Sequence, residues 1–291
     1  MLKITFLGTS ASIPTVNRSM PSVALKAKEL YLWDCGEGTQ RQMMKYRIGF
    51  GSVKAIFISH LHLDHFLGVF GLIETLRLSS VFAQKLLIYA PQKFQLLLPK
   101  KWDFLEINEI KPGLLLKDGE GEISAFKVKH VGESFGFVFK EYDILKFYEE
   151  KAHALGLKGE MFRRIQEQGF IKIGKNRIEL EDVTWLKKGR KIVYSGDCSP
   201  SSNVIKSAKN ADLLIHDATY DKKLEDEAKK RSHSTAVQAA EIASEAEVKK
   251  LVLTHISGRY SNALQLSQLL KEAKKIFPNT IVAEDGLGLE L

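Results

Sequence analysis

The residues with the clearest capacity for chemistry form a short cluster in the segment "FISHLHLDHFLG", residues 57–68. His60 and His62 are two positions apart, so an extended backbone directs both side chains to the same side. Asp64 and His65 follow where the chain turns toward the next element. Imidazole and carboxylate groups are good zinc ligands, and four of them exceed what one catalytic zinc takes from a protein. The spacing predicts a metal site with enough ligands for two metals, in preference to a chance group of surface histidines.

Three further candidate ligands each end an apolar run elsewhere in the chain. His130 ends "FKVKH", Asp197 ends "IVYSGD" and His255 ends "LVLTH". Any one of them alone is more simply interpreted as a structural residue. Together with the first cluster they favour one shared centre, because loops that follow strands carry chemistry on layered α/β scaffolds.

His233, in "SHSTAV", stands just before a predicted helix. Thr235 and Gln238 have the spacing of a capping box at the start of that helix. A residue fixed in front of a helix N-terminus is well placed to meet an anion. The other two histidines are interpreted more simply, His216 as a residue that supports the site or the fold and His153 as an exposed one.

The elements that must position these residues alternate between strands and helices. Short β-rich runs, broken by Gly, Pro or charge, predict strands at 2–9, 22–27, 30–36, 53–60, 85–91, 123–130, 190–197, 211–220 and 249–257, with a closing strand pair at 280–291. Helical spacing predicts helices at 37–47, 66–80, 201–210, 234–246 and 262–277. We therefore expect an α/β protein whose candidate site residues lie at strand ends.

Residues 140–180 differ from this pattern because they are rich in charge and poor in long apolar runs. We interpret them as an inserted, protruding arm rather than as core. Its cations are candidates for contacts with phosphates of a polyanion, although the glutamates between them equally favour a solvated charged helix. The cations are Lys146, Lys151, Lys158, Arg163, Arg164, Lys172 and Lys175.

Length and composition are those of a folded globular protein, with 291 residues, 44% of them hydrophobic and 27% charged. The formal net charge of +8 favours a polyanionic partner such as nucleic acid without requiring one. Cys35 and Cys198 lack a Cys-x-x-Cys spacing, so neither a disulfide framework nor a thiolate zinc site is indicated. No apolar run approaches the roughly 20 residues that cross a bilayer, and the N-terminal apolar stretch is short for a signal peptide. The expected location is the cytoplasm.

The motifs "TFLGTSASIP", "DCGEGTQRQ", "SHLHLDH", "SGDCSP" and "LTHISGRY" resemble those of the metallo-β-lactamase superfamily. Within it, "DCGEGTQRQM", "HDATY", "HSTAVQAA" and "LTHISGRYS" resemble the tRNase Z family over nearly the whole chain. The resemblance implies the metallo-β-lactamase fold, a four-layer αββα sandwich made by a single domain, residues 1–291. It also implies an inserted tRNA-binding arm at about residues 142–178.

The resemblance further implies an activity, a cofactor and partners. The expected enzyme is a zinc-dependent endoribonuclease that removes the 3′ trailer of precursor tRNA, leaving a 3′-hydroxyl on the tRNA and a 5′-phosphate on the trailer. The expected cofactor is two zinc ions per subunit, although His and Asp ligands also suit manganese or another divalent metal. The expected assembly is a homodimer without a membrane partner.

The family's roles carry over to matching positions of this chain. One zinc is expected at His60, His62 and His130, and the other at Asp64, His65 and His255, with Asp197 bridging them. Asp64 is also the expected general base, and His233 with Asp217 is expected to protonate the leaving group. The family usually has Glu where this chain has Asp217. We expect Asp34, in "WDCGEG", to hydrogen-bond a ligand histidine rather than to bind metal.

Substrate contacts are expected from three regions. Arg259 is a candidate for the reacting phosphate, with packing on Tyr260 as the alternative interpretation. Arg18 lies in "PTVNRS", a loop that resembles a family element but has Val16 in place of its Lys. In the arm, "LGLKGEMFRRIQEQG" lacks the Pro of the family's Gly-Pro motif, and its candidate contacts are Lys158, Arg163 and Arg164.

Two other functions fit the same ligand set. One is a hydrolase of the same fold that acts on a small phosphodiester and has no use for a basic arm. The other is a metal-containing nucleic-acid binding module without turnover, which a complete ligand set disfavours.

Overall fold

A computed structural model describes residues 2–79, 85–98 and 102–291. Its strands are β1 (Lys3–Gly8), β2 (Ser10–Ala11), β3 (Ser22–Lys26), β4 (Leu30–Trp33), β5 (Val53–Phe57), β6 (Leu86–Ala90), β7 (Leu105–Glu109), β8 (Gly113–Lys117), β9 (Gly121–Lys127), β10 (Phe135–Glu141), β11 (Ile144–Phe147), β12 (Phe170–Ile173), β13 (Asn176–Glu179), β14 (Thr184–Lys187), β15 (Lys191–Tyr194), β16 (Leu213–Asp217), β17 (Leu251–Thr254), β18 (Ile256–Ser257), β19 (Thr280–Val282) and β20 (Gly288–Glu290).

The α-helices are α1 (Thr39–Lys45), α2 (Leu63–Phe66), α3 (Gly68–Ser79), α4 (Glu149–Ala154), α5 (Met161–Gln168), α6 (Leu180–Val183), α7 (Ser202–Ala208), α8 (Glu225–Lys230), α9 (Ala236–Glu245) and α10 (Ala263–Lys274). The helix predicted at 66–80 corresponds to the end of α2 and to α3, and its last residue, Ser80, lies outside the described residues. Among the described residues, no helix has the length and apolar character that a bilayer span requires.

The first sheet contains seven strands in the order β20-β1-β3-β4-β5-β6-β7. Its β20, β1, β3 and β4 pair antiparallel, whereas β4, β5, β6 and β7 run parallel. The sequence of β4, "LYLW", is apolar and buried at every position, as expected for a parallel strand that is covered on both faces.

The second sheet contains seven strands in the order β19-β17-β16-β15-β10-β9-β8. Strands β15, β16, β17 and β19 run parallel, and β10 pairs antiparallel with β15. The predicted closing pair corresponds to β19 and β20, which enter different sheets and do not pair with each other.

A large apolar core lies between the two sheets. Phe6 and Phe57 from the first sheet are buried with Phe137 and Ile215 from the second, and the rings of Phe57 and Phe137 are 5.6 Å apart between centroids. Each such buried side chain contributes roughly 1.5–3 kcal/mol of hydrophobic stabilisation. The β-rich alternation in the sequence therefore builds two sheets that pack face to face.

Helices cover the outer face of each sheet. Met43 of α1 and Leu72 of α3 pack on the first sheet, and Val204 of α7, Ala240 of α9 and Leu269 of α10 pack on the second. The order of layers is helix, sheet, sheet, helix. The predicted α/β metallo-β-lactamase architecture is thus confirmed.

The chain forms two compact units, one of residues 1–140 with 191–291 and one of Glu141–Arg190. The second unit contains the antiparallel pairs β11 with β14 and β12 with β13. It has a small core of its own, although the sequence indicated none. The core residues are Ala152, Leu157, Ile165, Ile171, Ile178 and Val183. The role of residues 142–178 as an arm stays a prediction.

Candidate active site

The predicted metal ligands converge in the first unit at the ends of strands. Each of three groups offers possible ligand atoms that all lie within 4.8 Å of one another. The groups are His60, His62, His130 and Asp197; Asp64, His65 and His255; and Asp197, Asp217, His233 and His255. The structure brings all of these side chains together, and their role as ligands stays a prediction.

Asp197 occupies the centre of this cluster. Its Oδ2 lies 3.2 Å from His65 Nε2, 3.3 Å from His255 Nε2, 3.7 Å from His60 Nε2 and 3.9 Å from His130 Nε2. Burial works to raise the pKa of the Asp197 carboxyl, but the imidazoles of His255 and His65 outweigh it and hold this pKa well below its usual value. The carboxylate is therefore ionised and central enough to be shared.

The turn that carries Asp197 requires the glycine before it. Gly196 follows β15 with a φ of 60°, and a Cβ at this position would lie 3.0 Å from the carbonyl oxygen of Phe135 and 3.1 Å from Ser59 Cβ. Only glycine adopts this conformation readily at such close range. The motif "SGD" thus places the carboxylate through its backbone as much as through its side chain.

Asp64 forms a second point of convergence. Its Oδ2 lies 3.5 Å from His255 Nε2 and 3.6 Å from His65 Nε2, and it accepts a 3.0 Å hydrogen bond from the backbone N–H of Ser12. Ser12 and His255 both have a positive φ, 57° and 58°. Such backbone strain costs about 1–3 kcal/mol per residue and concentrates at functional sites.

Asp34 orients two of the histidines from beneath the cluster. It accepts hydrogen bonds from His65 Nδ1 at 2.8 Å, Ser59 Oγ at 2.9 Å and Tyr194 Oη at 2.7 Å. Because the Ser59 hydroxyl donates to Asp34, its oxygen accepts from His60 Nδ1 at 3.0 Å. The predicted hydrogen bond between Asp34, as acceptor, and a histidine of the cluster is confirmed.

Two more histidines of the cluster, His130 and His255, are fixed in the same way. His130 Nδ1 donates to the carbonyl oxygen of Ser232 at 2.8 Å, and His255 Nδ1 lies 2.9 Å from Thr219 Oγ1. In each ring a hydrogen bond at Nδ1 leaves Nε2 to face the cluster. Partners of this kind set the tautomer and the orientation of metal-binding histidines.

The cluster has the properties that a divalent metal requires. The Nε2 atoms of His60, His65 and His255 are buried and have no hydrogen-bond partner in the described part of the chain, although buried polar atoms normally have one. Burial lowers the pKa of three of the five predicted ligand histidines, His60, His62 and His130, and keeps these three imidazoles neutral, as ligands must be. The nitrogen and carboxylate donors suit zinc.

Asp217 and His233 form a buried pair beside the cluster. His233 Nδ1 donates to Asp217 Oδ2 at 2.8 Å, and the carboxylate also accepts from the backbone N–H groups of Thr219 and Cys198. The shorter side chain of Asp, where the family usually has Glu, thus still reaches His233. Burial opposes charge on His233, but Asp217 outweighs it and raises the pKa of His233 to about 9.

Family models match both halves of the chain. The model described as Anti-Pycsar protein Apyc1 matches residues 2–148, and the model described as Beta-lactamase superfamily domain matches residues 181–256. The ribonuclease Z of Archaeoglobus fulgidus is 43% identical over 100% of this chain and 98% of its own length. The chain belongs to the ribonuclease Z family. The ribonuclease Z of Methanosarcina acetivorans is 42% identical over 100% of this chain and 98% of its own length.

A solved structure of the same family has the same fold. The crystal structure of the short form of human tRNase Z superimposes with a TM-score of 0.70 at 30% identity, covering 99% of this chain and 98% of the human chain. Membership of the ribonuclease Z family identifies the chain as an enzyme. Nine histidine and aspartate side chains converge in its first unit.

A cavity of about 690 Å³ opens beside this centre. His62, Tyr220, His233 and Arg259 are among the residues that line it. The Arg259 guanidinium lies 5.0 Å from the centroid of the Tyr220 ring, and its Nε donates to Ser257 Oγ at 3.1 Å. Arg259 thus stacks on the ring of Tyr220, whereas the sequence suggested Tyr260. The Arg259 side chain also lines the cavity.

Arg18 occupies a different environment from the one expected of a substrate contact. Its side chain is buried, and Nη1 donates to Thr9 Oγ1 and to the carbonyl oxygen of Ala283, each at 2.6 Å. Asp285 lies close enough to favour its charge. Arg18 therefore braces the loop before β3, and its guanidinium is engaged within the protein rather than presented to a substrate.

The predicted arm cations lie on the second unit. Lys158, Arg163 and Arg164 are exposed, and Arg163 Nε forms a 3.0 Å ion pair with Glu167 one helical turn away. His153 is exposed as predicted, whereas His216 is buried and donates through Nδ1 to its neighbour's carbonyl oxygen at 2.7 Å.

Several residues around the site carried no signal in the sequence. Tyr194 and Ser59 hold Asp34, Thr219 holds both Asp217 and His255, and Arg231 lines the 690 Å³ cavity. Serine, threonine and tyrosine are common throughout the chain, so residue type alone does not distinguish these positions.

Proposed function

We propose that this chain is a metal-dependent endoribonuclease that removes the 3′ trailer from precursor tRNA. The proposed products are a tRNA with a 3′-hydroxyl and a trailer with a 5′-phosphate. The observation that carries the proposal is the convergence of histidine and aspartate groups on Asp197 in a member of the ribonuclease Z family. The similarity to the short form of human tRNase Z supports tRNA as the substrate.

The residues that would hold the metals follow from the ligand groups. His60, His62 and His130 would bind one zinc and Asp64, His65 and His255 the second, with Asp197 shared. When bound, two metal ions would stabilise the attacking and leaving oxygens and lower the pKa of water toward about 7. Manganese suits the same donors, so zinc is the proposed rather than the required metal.

Two side chains of the cluster are the proposed base and acid. Asp64, held by the Ser12 N–H, is the proposed general base for the attacking water. His233 is the proposed general acid. Because His233 Nδ1 is bound to Asp217, its Nε2 is the nitrogen that would deliver a proton to the leaving O3′. A pKa of about 9 keeps that proton in place at neutral pH.

Substrate binding is proposed to involve both units. Arg259 would contact the reacting phosphate, because it lines the same cavity as His233. Residues 142–178 would act as an arm that binds tRNA, with Lys158, Arg163 and Arg164 contacting the phosphate backbone. A homodimer in the cytoplasm is the proposed setting.

The test is cleavage of a 3′-extended precursor tRNA by the purified protein, with the cut mapped at nucleotide resolution. We expect a single cut just after the discriminator nucleotide, loss of cleavage after chelation and recovery on addition of zinc or manganese. Tight binding without cleavage in the presence of metal would favour a binding module. Hydrolysis of a small chromogenic phosphodiester alone would favour a small-molecule hydrolase.

A further inference from the structure

A second cavity adjoins the active site and carries a different set of charges. It has a volume of about 500 Å³ and shares His233 with the 690 Å³ cavity. We call it the lysine cavity after four of its lining residues: Lys129, Lys222, Lys223 and Lys229. Apart from His233, none of its lining residues has a role in the reaction proposed above.

The charge of the lysine cavity is not neutralised by its own walls. Its lining contains two carboxylates, Glu225 and Asp226, and Glu225 already accepts a 3.1 Å hydrogen bond from Gln238. Within the described part of the chain, none of the four lysines forms an ion pair. The ammonium groups of the cavity are therefore available to bind an anionic ligand.

The lysine cavity is joined to the reacting centre through fixed backbone contacts. Ser232 and His233 form part of its wall, and the carbonyl oxygen of Ser232 accepts the hydrogen bond from His130 Nδ1. On the opposite side, the N–H of Ser199 donates to the carbonyl oxygen of Lys129 at 2.8 Å, two residues after Asp197. A group bound in this cavity thus lies next to the centre that would hold the scissile phosphate.

We propose that the lysine cavity binds a backbone phosphate of the nucleotide next to the scissile bond. The inference rests on the proposed ribonuclease function, since only a polymeric substrate has a second phosphate to place there. Lysine ammonium groups bind phosphates as mobile point charges without reading base sequence. That phosphate belongs either to the trailer or to the tRNA side of the cut, because the strand leaves the reacting centre in both directions.

The decisive variant is Lys222→Ala/Lys229→Ala. A phosphate contact on a single strand contributes a salt slope of about 0.7, which corresponds to about fourfold in affinity at 0.15 M salt. We therefore expect KM for precursor tRNA to rise about fifteenfold, and the slope of log kcat/KM against log salt to fall by about 1.4, with kcat unchanged.

The matched control is Lys206→Ala/Lys230→Ala. It removes the same charge, and both lysines are exposed, but neither lines the cavity although Lys230 directly follows Lys229. At 0.15 M salt the Debye length is about 8 Å, so a lysine outside the lining acts on a phosphate in the cavity only through screened attraction. We expect the control to retain the wild-type KM and salt slope.

Trailer length identifies which phosphate is bound. If the variant raises KM only for substrates with long trailers, the cavity binds the trailer. If KM rises equally for a one-nucleotide trailer and inhibition by mature tRNA weakens, it binds the tRNA side. Equal KM and salt slope for variant and control, or slower hydrolysis of bis(p-nitrophenyl) phosphate by the variant, would overturn the proposal.

Binding of labelled precursor tRNA, followed by fluorescence anisotropy, separates this inference from the proposed function. If the wild-type protein does not cleave precursor tRNA, the proposed function fails. Weaker binding by Lys222→Ala/Lys229→Ala than by the control would still support phosphate binding in the cavity. Equal binding by the two variants would reject it.

Discussion

The predicted metal ligands and the predicted arm cations occupy opposite environments. In the first unit, His65 and Asp197 are almost fully buried, and both belong to a network of hydrogen bonds and charges. In the second unit, Lys158, Arg163 and Arg164 are exposed, and Arg163 forms a surface ion pair with Glu167. The difference teaches that residues expected to act on one reacting bond are held in place by buried hydrogen-bond partners. Residues expected to bind a charged polymer are exposed cations that reach its phosphates through solvent.

This contrast predicts large effects on turnover for changes in the first unit and modest effects on binding for changes in the second. Buried networks lose function when one member is removed, because the remaining polar groups lose their geometry. Exposed cations act nearly independently, and each adds a small, salt-dependent increment. Substitutions in the two units therefore separate kcat from KM.

The largest effect is expected for Asp64→Ala. Removing the carboxylate eliminates the proposed base and one of the points on which His65 and His255 converge, so we expect kcat for precursor tRNA to fall by at least about 10² to 10⁴. Single-turnover cleavage in a metal-replete buffer measures this fall, with far-UV circular dichroism as the check on folding. Asp103→Ala, at an exposed position, is the control, and a wild-type rate for Asp64→Ala would refute the mechanism.

The next effect is a change in pH dependence for Asp217→Asn. An acid is active only while protonated, and Asp217 raises the pKa of His233 to about 9, so wild-type kcat should fall as pH rises through that value. Without the carboxylate this pKa moves down, and the alkaline limb moves to lower pH. We expect kcat of Asp217→Asn at pH 8 to be about 10- to 100-fold lower than that of the wild type.

Asp217→Glu provides the conservative control for that pH profile. Glutamate keeps the charge that sustains the His233 proton and is the residue that the family usually has at this position. We expect it to restore the alkaline limb toward that of the wild type. An Asp217→Asn profile that falls in amplitude without moving along the pH axis would show that Asp217 acts only in folding.

A smaller effect is expected for Tyr194→Phe, which tests whether support from beneath the cluster matters. The change removes the hydroxyl that donates to Asp34, and Asp34 in turn holds His65. We expect about a tenfold loss in zinc affinity and about 1–2 kcal/mol in the free energy of unfolding. Competition with a chromogenic chelator measures the zinc affinity, and urea unfolding measures the free energy of unfolding. Stability loss with unchanged zinc affinity would limit Tyr194 to a structural role.

The sequence predicted those structural features that depend on residues close together in the chain. The two-residue spacing of His60 and His62, the polar groups after apolar runs, and the Thr235 and Gln238 capping box all appear in the structure because each depends on neighbours along the chain. The family resemblance supplied the order of the layers, which periodicity alone leaves open.

Features that depend on distant contacts were not predictable in this way. Tyr194 meets Asp34 across 160 positions, and Arg18 meets Ala283 across 265. Arg18 was expected to contact the substrate because its loop resembles a family element, and that resemblance does not reveal the contacts of its side chain with Thr9 and Ala283. In residues 140–180 the apolar side chains occur singly or in pairs, yet Ile165 and Ile178 belong to one small core once the helices and strands of that unit form.

The smallest effect is expected in the second unit, for Arg164→Ala. One duplex phosphate contact contributes a salt slope of about 0.9, or about fivefold in affinity at 0.15 M salt, so KM for precursor tRNA should rise about fivefold with kcat unchanged. Arg163→Ala is the matched comparison, because Glu167 already offsets its charge and its loss should raise KM less. Steady-state kinetics from 0.05 to 0.3 M salt measure both. A fall in kcat at constant KM would show that Arg164 contributes to the chemical step rather than to tRNA binding. The division between a buried unit for chemistry and an exposed unit for binding would then be wrong.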